Sequence, residues 1–175
     1  MNYYLKIFTI TFFVSPFFAC PDILNTEMRI LDSTTTENLC KFENKVILVV
    51  NVASRCGYTY QYASLQSLYD NYKDMEFEII GVPSRDFLQE YSNEEDVAEF
   101  CSTTYGVNFP MFATTKVRGK KAHPLFQKIK EQTGRSPTWN FNKFLISREG
   151  IVVSSFGSSV KPDSQELISA IENIL

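Results

Sequence analysis

Residues 45–59 read Lys45-Val46-Ile47-Leu48-Val49-Val50-Asn51-Val52-Ala53-Ser54-Arg55-Cys56-Gly57-Tyr58-Thr59. The stretch through Val52 is a nearly unbroken apolar, β-branched run. That is the pattern of a strand buried on both faces, with helices covering each side. From Ala53 onward the chain reads as a loop that carries a cysteine. Directly after it, residues 60–73 set apolar or aromatic side chains at Tyr62, Leu65, Leu68, Tyr69 and Tyr72, the spacing of one helix face. Strand, cysteine loop and helix in this order predict an α/β fold and put Cys56 where a helix begins.

The flanking sequence extends the pattern. Phe77-Glu78-Ile79-Ile80-Gly81-Val82 reads as a second buried strand, ended by Pro83. Ser92 and Glu95 have capping-box spacing for a helix through Val97, Phe100, Cys101 and Tyr105, closed by Gly106. Phe109-Pro110-Met111-Phe112 reads as a short strand and residues 124–132 as a helix. Residues 143–147 and 151–156, around Arg148-Glu149-Gly150, predict a β-hairpin. Asp163 and Glu166 are placed to box a last helix with Leu167, Ile168, Ile171 and Leu175 on its apolar face. Residues 21–40 are polar and Thr-rich, with short irregular strands expected. The order β-α-β-α-β-α-β-β-α predicts a central mixed β-sheet flanked by helices. Without repeat, low-complexity tract or linker, residues 22–175 read as one domain.

The composition excludes several classes. Hydrophobic residues at 44% and charged residues at 21% describe an ordinary globular chain rather than a disordered or fibrous one. A formal net charge of -3 gives no basic footprint for nucleic acid. Four Cys in 175 residues are too few for a disulfide-built scaffold. No dinucleotide-binding or P-loop glycine pattern is present, so no nucleotide cofactor is expected. His123 is the only histidine, and no cysteines stand at zinc-finger spacing, so no metal site is expected; His123 reads as a surface residue near a helix start.

Residues 1–19 read as an export signal: Lys6 is the only charge, and an apolar run follows from Ile7 to Ala19. The run is short for a membrane-spanning helix, and Pro16 interrupts it. Ala19-Cys20 adds a sharper expectation, since a small residue before a cysteine is the form of a bacterial lipoprotein signal. Cys20 would then be the first mature residue and a membrane tether, and the mature chain would be periplasmic.

The remaining cysteines differ in setting. Amide groups at a helix start stabilise a thiolate, and Arg55 adds a neighbouring cation, so Cys56 is a candidate nucleophile. Gly57 is expected to allow close backbone approach in that loop. The alternative for Cys56 is a small buried hydrophobe. Cys101 lies mid-helix and reads as core unless it serves as a partner that captures an oxidised Cys56. Nothing beside Cys40 favours a thiolate, so it reads as structural or idle. Trp139-Asn140-Phe141 precedes a strand. Its indole N–H and side-chain amide are neutral donors that could face a thiolate, although Trp139 also reads as a core aromatic.

These motifs together resemble the glutathione peroxidase family. The resemblance rests on Asn51 through Thr59, Phe100-Cys101, Tyr105 through Pro110, Trp139 through Leu145, and Val160-Lys161-Pro162. It covers roughly residues 27–175. It implies a thioredoxin-like fold, with Cys56 as the peroxidatic residue, Trp139 and Asn140 around it, and Cys101 as the resolving cysteine of two-cysteine members. The implied substrate is H2O2 or an organic hydroperoxide, and the implied reductant is a thioredoxin-like dithiol protein or glutathione. Gly81-Val82-Pro83-Ser84-Arg85-Asp86-Phe87 departs from the main family pattern, with Asp86 where the family carries Gln. An ionised Asp only accepts hydrogen bonds and would oppose a thiolate. Three resolutions are open: Asp86 pairs with Arg85, it is protonated, or it turns away while Gln89 supplies an amide. Two rival readings of the function are a thiol–disulfide exchanger or redox sensor on the same fold, and a catalytically silent lipoprotein.

Overall fold

The strand that opens the reading lies at the centre of the structure. The computed structural model describes residues 20–175, so the expected export signal at residues 1–19 lies outside the described residues. A small antiparallel hairpin of β1 (Glu27–Arg29) and β2 (Thr36–Asn38) precedes the main sheet. That sheet is formed by β3 (Val46–Val52), β4 (Phe77–Pro83), β5 (Lys143–Ile146) and β6 (Val152–Phe156), in the order β4-β3-β5-β6. β3 runs parallel to β4 and antiparallel to β5, and β5 runs antiparallel to β6.

Every residue of β3 is buried. Side chains alternate across a strand, so Val46, Leu48, Val50 and Val52 enter one core while Ile47 and Val49 enter the other. The first core is closed by α1 (Gln61–Tyr72), α2 (Glu94–Tyr105) and α4 (Gln165–Glu172) through residues such as Leu65, Val97 and Leu167. The second is closed by α3 (Pro124–Thr133) and the 3-10 turns Asp22–Leu24 and Leu39–Phe42. This is the mixed α/β architecture expected from the element order, and it agrees with the thioredoxin-like fold that the family resemblance implies.

Helix starts fall one residue from the expected boxes. Asn93, not Ser92, caps α2 by accepting from the Glu95 amide at 3.3 Å. Ser164, not Asp163, caps α4 by accepting from the Leu167 amide at 3.4 Å. In both cases the capping residue is the last one in extended geometry, where a short side chain reaches the open amides. The expected strand at residues 109–112 is reduced to single bridges, Gly81 with Met111 and Ile30 with Phe112. Pro110 accepts from the Gly81 amide but has no N–H to return, so no ladder propagates.

Cys40 is not idle. It forms a disulfide with Cys20, with Cα atoms 5.5 Å apart.

Candidate active site

Cys56 lies in the turn between β3 and α1, and a local hydrogen-bond set fixes that turn. The Cys56 amide donates to Thr59 Oγ1 at 2.9 Å, and the Thr59 hydroxyl donates to the Ala53 carbonyl at 2.9 Å. The Thr59 amide donates to the Cys56 carbonyl at 3.0 Å. With the turn closed this way, the Tyr58 amide points at Cys56 Sγ at 3.4 Å. That N–H is a hydrogen-bond donor aimed at the sulfur. The sulfur-bearing residue is buried but reachable, at 9% exposure. Gly57 does not serve close approach here, since a Cβ on it would meet nothing within 4 Å.

Arg55 is placed differently from expectation. Its guanidinium lies 5.8 Å from the Tyr91 ring centroid, in cation–π range, rather than being tied to the Cys56 turn. Its backbone amide is what matters locally, donating to the Gln89 carbonyl at 2.9 Å. One residue on, Glu90 is buried and accepts from the Ser54 amide at 3.1 and 3.2 Å and from the Tyr91 amide at 2.8 Å. Burial raises the Glu90 carboxyl above its ordinary range, and the hydrogen bonds from Ser54 and Tyr91 work against that rise.

Gln89 joins two parts of the site. Its carbonyl holds Arg55, and its side-chain oxygen accepts from the Asn140 side-chain amide at 3.0 Å. Asn140 is fully buried, and its Oδ1 has no hydrogen-bond partner among the described residues. Trp139 is not a core aromatic: it is 42% exposed, with its ring 5.4 Å from Phe87. Trp139, Asn140, Gln89 and the Cys56 turn thus form one connected assembly at the end of β3.

Asp86 turns away from that assembly. Its Oδ2 accepts from the Val117 amide at 2.8 Å and the Arg118 amide at 3.2 Å, and Lys116 Nζ stands 3.8 Å from Oδ1. Asp86 turns away, as the third resolution has it, while the Gln89 side chain accepts from Asn140 rather than donating to Cys56. Pairing with Arg85 is absent among the described ion pairs.

Cys101 sits on α2 in the same core cluster as Cys56, 3% exposed and unbonded to it. Burial pushes its thiol up to about 11, partly opposed by a hydrogen bond with the Tyr62 hydroxyl. That hydroxyl is buried and has no nitrogen or oxygen partner among the described residues.

Two residues of the assembly, Asn51 and Lys143, were not singled out as site candidates by sequence reading. Asn51, buried in β3, donates from Nδ2 to the Trp139 carbonyl at 2.9 Å and accepts the Asn142 amide on Oδ1 at 3.1 Å. Between them Phe141 takes a left-handed φ of 61° and donates to the Asn51 carbonyl at 2.6 Å. Lys143, fully buried in β5, donates from Nζ to Gln61 Oε1 at 2.7 Å and to the Phe141 carbonyl at 2.8 Å. Burial lowers its ammonium to about 7. Gln61 opens α1, so Lys143 links that helix start to the Phe141 turn. The signal was available: Asn51 and Lys143 are the polar residues within otherwise apolar strands.

His123 caps α3, accepting the Leu125 amide on Nδ1 at 3.3 Å while Nε2 faces the Glu27 carbonyl at 2.9 Å. Both nitrogens are engaged, and it is half-buried rather than a surface residue.

Known proteins resemble this chain in sequence and fold. The glutathione peroxidase family model matches residues 23–130. A glutathione peroxidase homolog, BsaA, of Halalkalibacterium halodurans is 46% identical over 140 residues, covering 74% of this chain and 89% of the relative. The thioredoxin/glutathione peroxidase BtuE of Escherichia coli is 35% identical over 175 residues, covering 86% and 95%. Among solved structures, the apo form of Trgpx superposes with a TM-score of 0.67 at 30% identity, covering 88% of this chain and 97% of that one. On sequence and fold alike, the chain belongs to the glutathione peroxidase family.

Proposed function

We propose that this chain is a thiol-dependent peroxidase that reduces H2O2 or organic hydroperoxides through Cys56. The observation that carries the reading is Gln89, which binds the residue before Cys56 through its backbone and Asn140 through its side chain. A thiolate at Cys56 attacks the terminal peroxide oxygen and breaks the O–O bond. The sulfur becomes a sulfenic acid, and the leaving oxygen takes a proton to depart as water or an alcohol. The Tyr58 amide supports the anionic sulfur, and Trp139 and Asn140 frame the approach of the peroxide. Asp86 serves as a tie to the loop at residues 116–118 rather than as a catalytic group.

Cys101 then condenses with the sulfenic acid, releasing water and forming a disulfide. Because Cys101 is buried on α2, this step requires that helix to open locally. A dithiol protein reduces the disulfide by exchange and leaves oxidised. The E. coli relative is named a thioredoxin/glutathione peroxidase, and the two-cysteine pattern here favours a dithiol protein as reductant. In this reading residues 1–19 direct export and the chain works outside the cytoplasm. A membrane tether through Cys20 is not part of it, because that sulfur is bonded to Cys40.

The test is a non-reducing peptide map after one equivalent of H2O2 on the chain with Cys56 and Cys101 reduced, beside Cys56→Ser and Cys101→Ser. The expected products are a Cys56–Cys101 disulfide in the unsubstituted chain and a trapped sulfenic acid on Cys56 in Cys101→Ser. If Cys56 stays a thiol with peroxide yet forms mixed disulfides with a dithiol protein, the exchanger reading replaces this one.

A further inference from the structure

The chain is docked onto the domain from residue 20 onward. Cys20 packs against the second core, and Ile23 and Leu24 are 1% and 2% exposed within it. Pro21 lies so close to Gly150, in the β5–β6 turn, that a Cβ added there would collide with it. Lys128 on α3 donates to the backbone carbonyls of Asp22 and Asn25 and pairs with the Asp22 carboxylate at 3.2 Å. Cys40 is positioned just as firmly. Its amide donates to Asn38 Oδ1 at 2.9 Å, capping a 3-10 turn whose Leu39 and Phe42 are buried. The two Cα atoms are 5.5 Å apart, inside the range a disulfide spans without backbone movement.

The sheet separates this pair from the catalytic one. Cys56 and Cys101 belong to the core under α1, α2 and α4, whereas Cys20 packs into the core under α3. The family match begins at residue 23, so the Cys20 half lies outside it.

We propose that Cys20–Cys40 is a permanent cystine, made once after export and independent of the peroxidase cycle, and that Cys20 is therefore not a lipid attachment site. Two thiols lose two protons and two electrons. A protein disulfide of the exporting compartment accepts the electrons and leaves as a dithiol. Lipidation would need the same sulfur for a thioether. It would also lead its acyl chains out from a half-buried side chain with no free stretch of chain between lipid and core. The mature protein is accordingly released rather than tethered.

The inference does not rest on the peroxidase reading, and its test removes the catalytic cysteines. The full chain carrying Cys56→Ser and Cys101→Ser is expressed in a Gram-negative host, fractionated, and analysed by intact mass and non-reducing digestion. The expected protein is released by osmotic shock, carries no acyl mass and takes up no alkylating reagent until reduced. After reduction it takes up two groups, and its unreduced digest contains the Cys20 and Cys40 peptides joined. A membrane-bound product with a diacylglyceryl mass on Cys20 overturns the proposal. So does alkylation of both cysteines without prior reduction.

Discussion

Lys143 brings an ammonium group into an apolar interior with two neutral oxygens for company, Gln61 Oε1 and the Phe141 carbonyl. Burial alone lowers its ionisation to about 7 from the ordinary lysine range. The sign follows from linkage. The unfolded chain holds this proton up to the ordinary lysine range, while the folded chain releases it near 7. Between those limits the unfolded state binds more protons, so this residue makes stability rise with pH, by at most about 1.4 kcal/mol per unit. Denaturant unfolding of the native chain and of Lys143→Met between pH 7 and 10 should show a slope in the first that is missing in the second. Parallel slopes would mean the lysine stays charged in the fold. Asp86 gives a second contrast. Its carboxylate holds two backbone amides at residues 117 and 118. Asp86→Ala should cost about 1–3 kcal/mol of stability by orphaning them, with Cys56 oxidation by H2O2, followed by stopped flow, slowed less than threefold. A loss of tenfold or more in oxidation rate would return Asp86 to the catalytic group. The position of Cys56 between a strand and a helix was legible in the sequence because strand-loop-helix order is local. The directions of Arg55 and Asp86 were not, because each is chosen by a partner distant in sequence, Tyr91 for one and the 116–118 backbone for the other.

At the scale of elements, α2 is where chemistry and stability meet. It buries Cys101 and ends on Gly106 at φ 63°, whose amide returns to the Ser102 carbonyl at 3.0 Å. A Cβ there would meet nothing within 4 Å, so Gly106→Ala imposes conformational strain without a clash. The expected cost is about 1 kcal/mol, borne mainly by the last turns of α2. If Cys101 reaches Cys56 by opening that helix, the strain makes opening about fivefold more frequent. Pulse alkylation of Cys101 in the reduced chain, and the rate of Cys56–Cys101 disulfide formation after peroxide, should both rise by that factor. An unchanged alkylation rate would show that Cys101 is exposed by some other movement. The helices themselves were readable from spacing and caps, and the caps slipped by one residue at Asn93 and Ser164. Neighbouring polar residues offer equivalent side chains, and only backbone geometry selects between them. The strand expected at residues 109–112 shows the opposite limit, since propensity cannot reveal that a neighbour's ladder stops at Pro110.

For the molecule as a whole, the main sheet divides two cores, and with them two cysteine pairs, one bonded and one free. The Cys20–Cys40 pairing could not be read from spacing, because nothing local in the sequence says that residues 20 positions apart meet. What brings them together is the docking of the 3-10 turns Asp22–Leu24 and Leu39–Phe42 side by side on the α3 face. Closing a loop of this length constrains the unfolded chain and stabilises the fold by about 3 kcal/mol. In a domain of this size that corresponds to a melting shift on the order of 6–12 °C. Cys40→Ser, placed in the Cys56→Ser/Cys101→Ser background so that no thiol exchange intervenes, should melt lower by that amount in calorimetry. The same substitution in the otherwise native chain should leave the rate of Cys56 oxidation by H2O2 within twofold at a temperature well below the melt. Its effect is thermal, and the cystine it removes packs into the core across the sheet from Cys56, whose sulfur the Tyr58 amide faces. If Cys40→Ser slowed the oxidation of Cys56 while the fold remained intact, the two cores would be coupled through β3. The cystine would then belong to the catalytic machinery rather than to the frame that carries it.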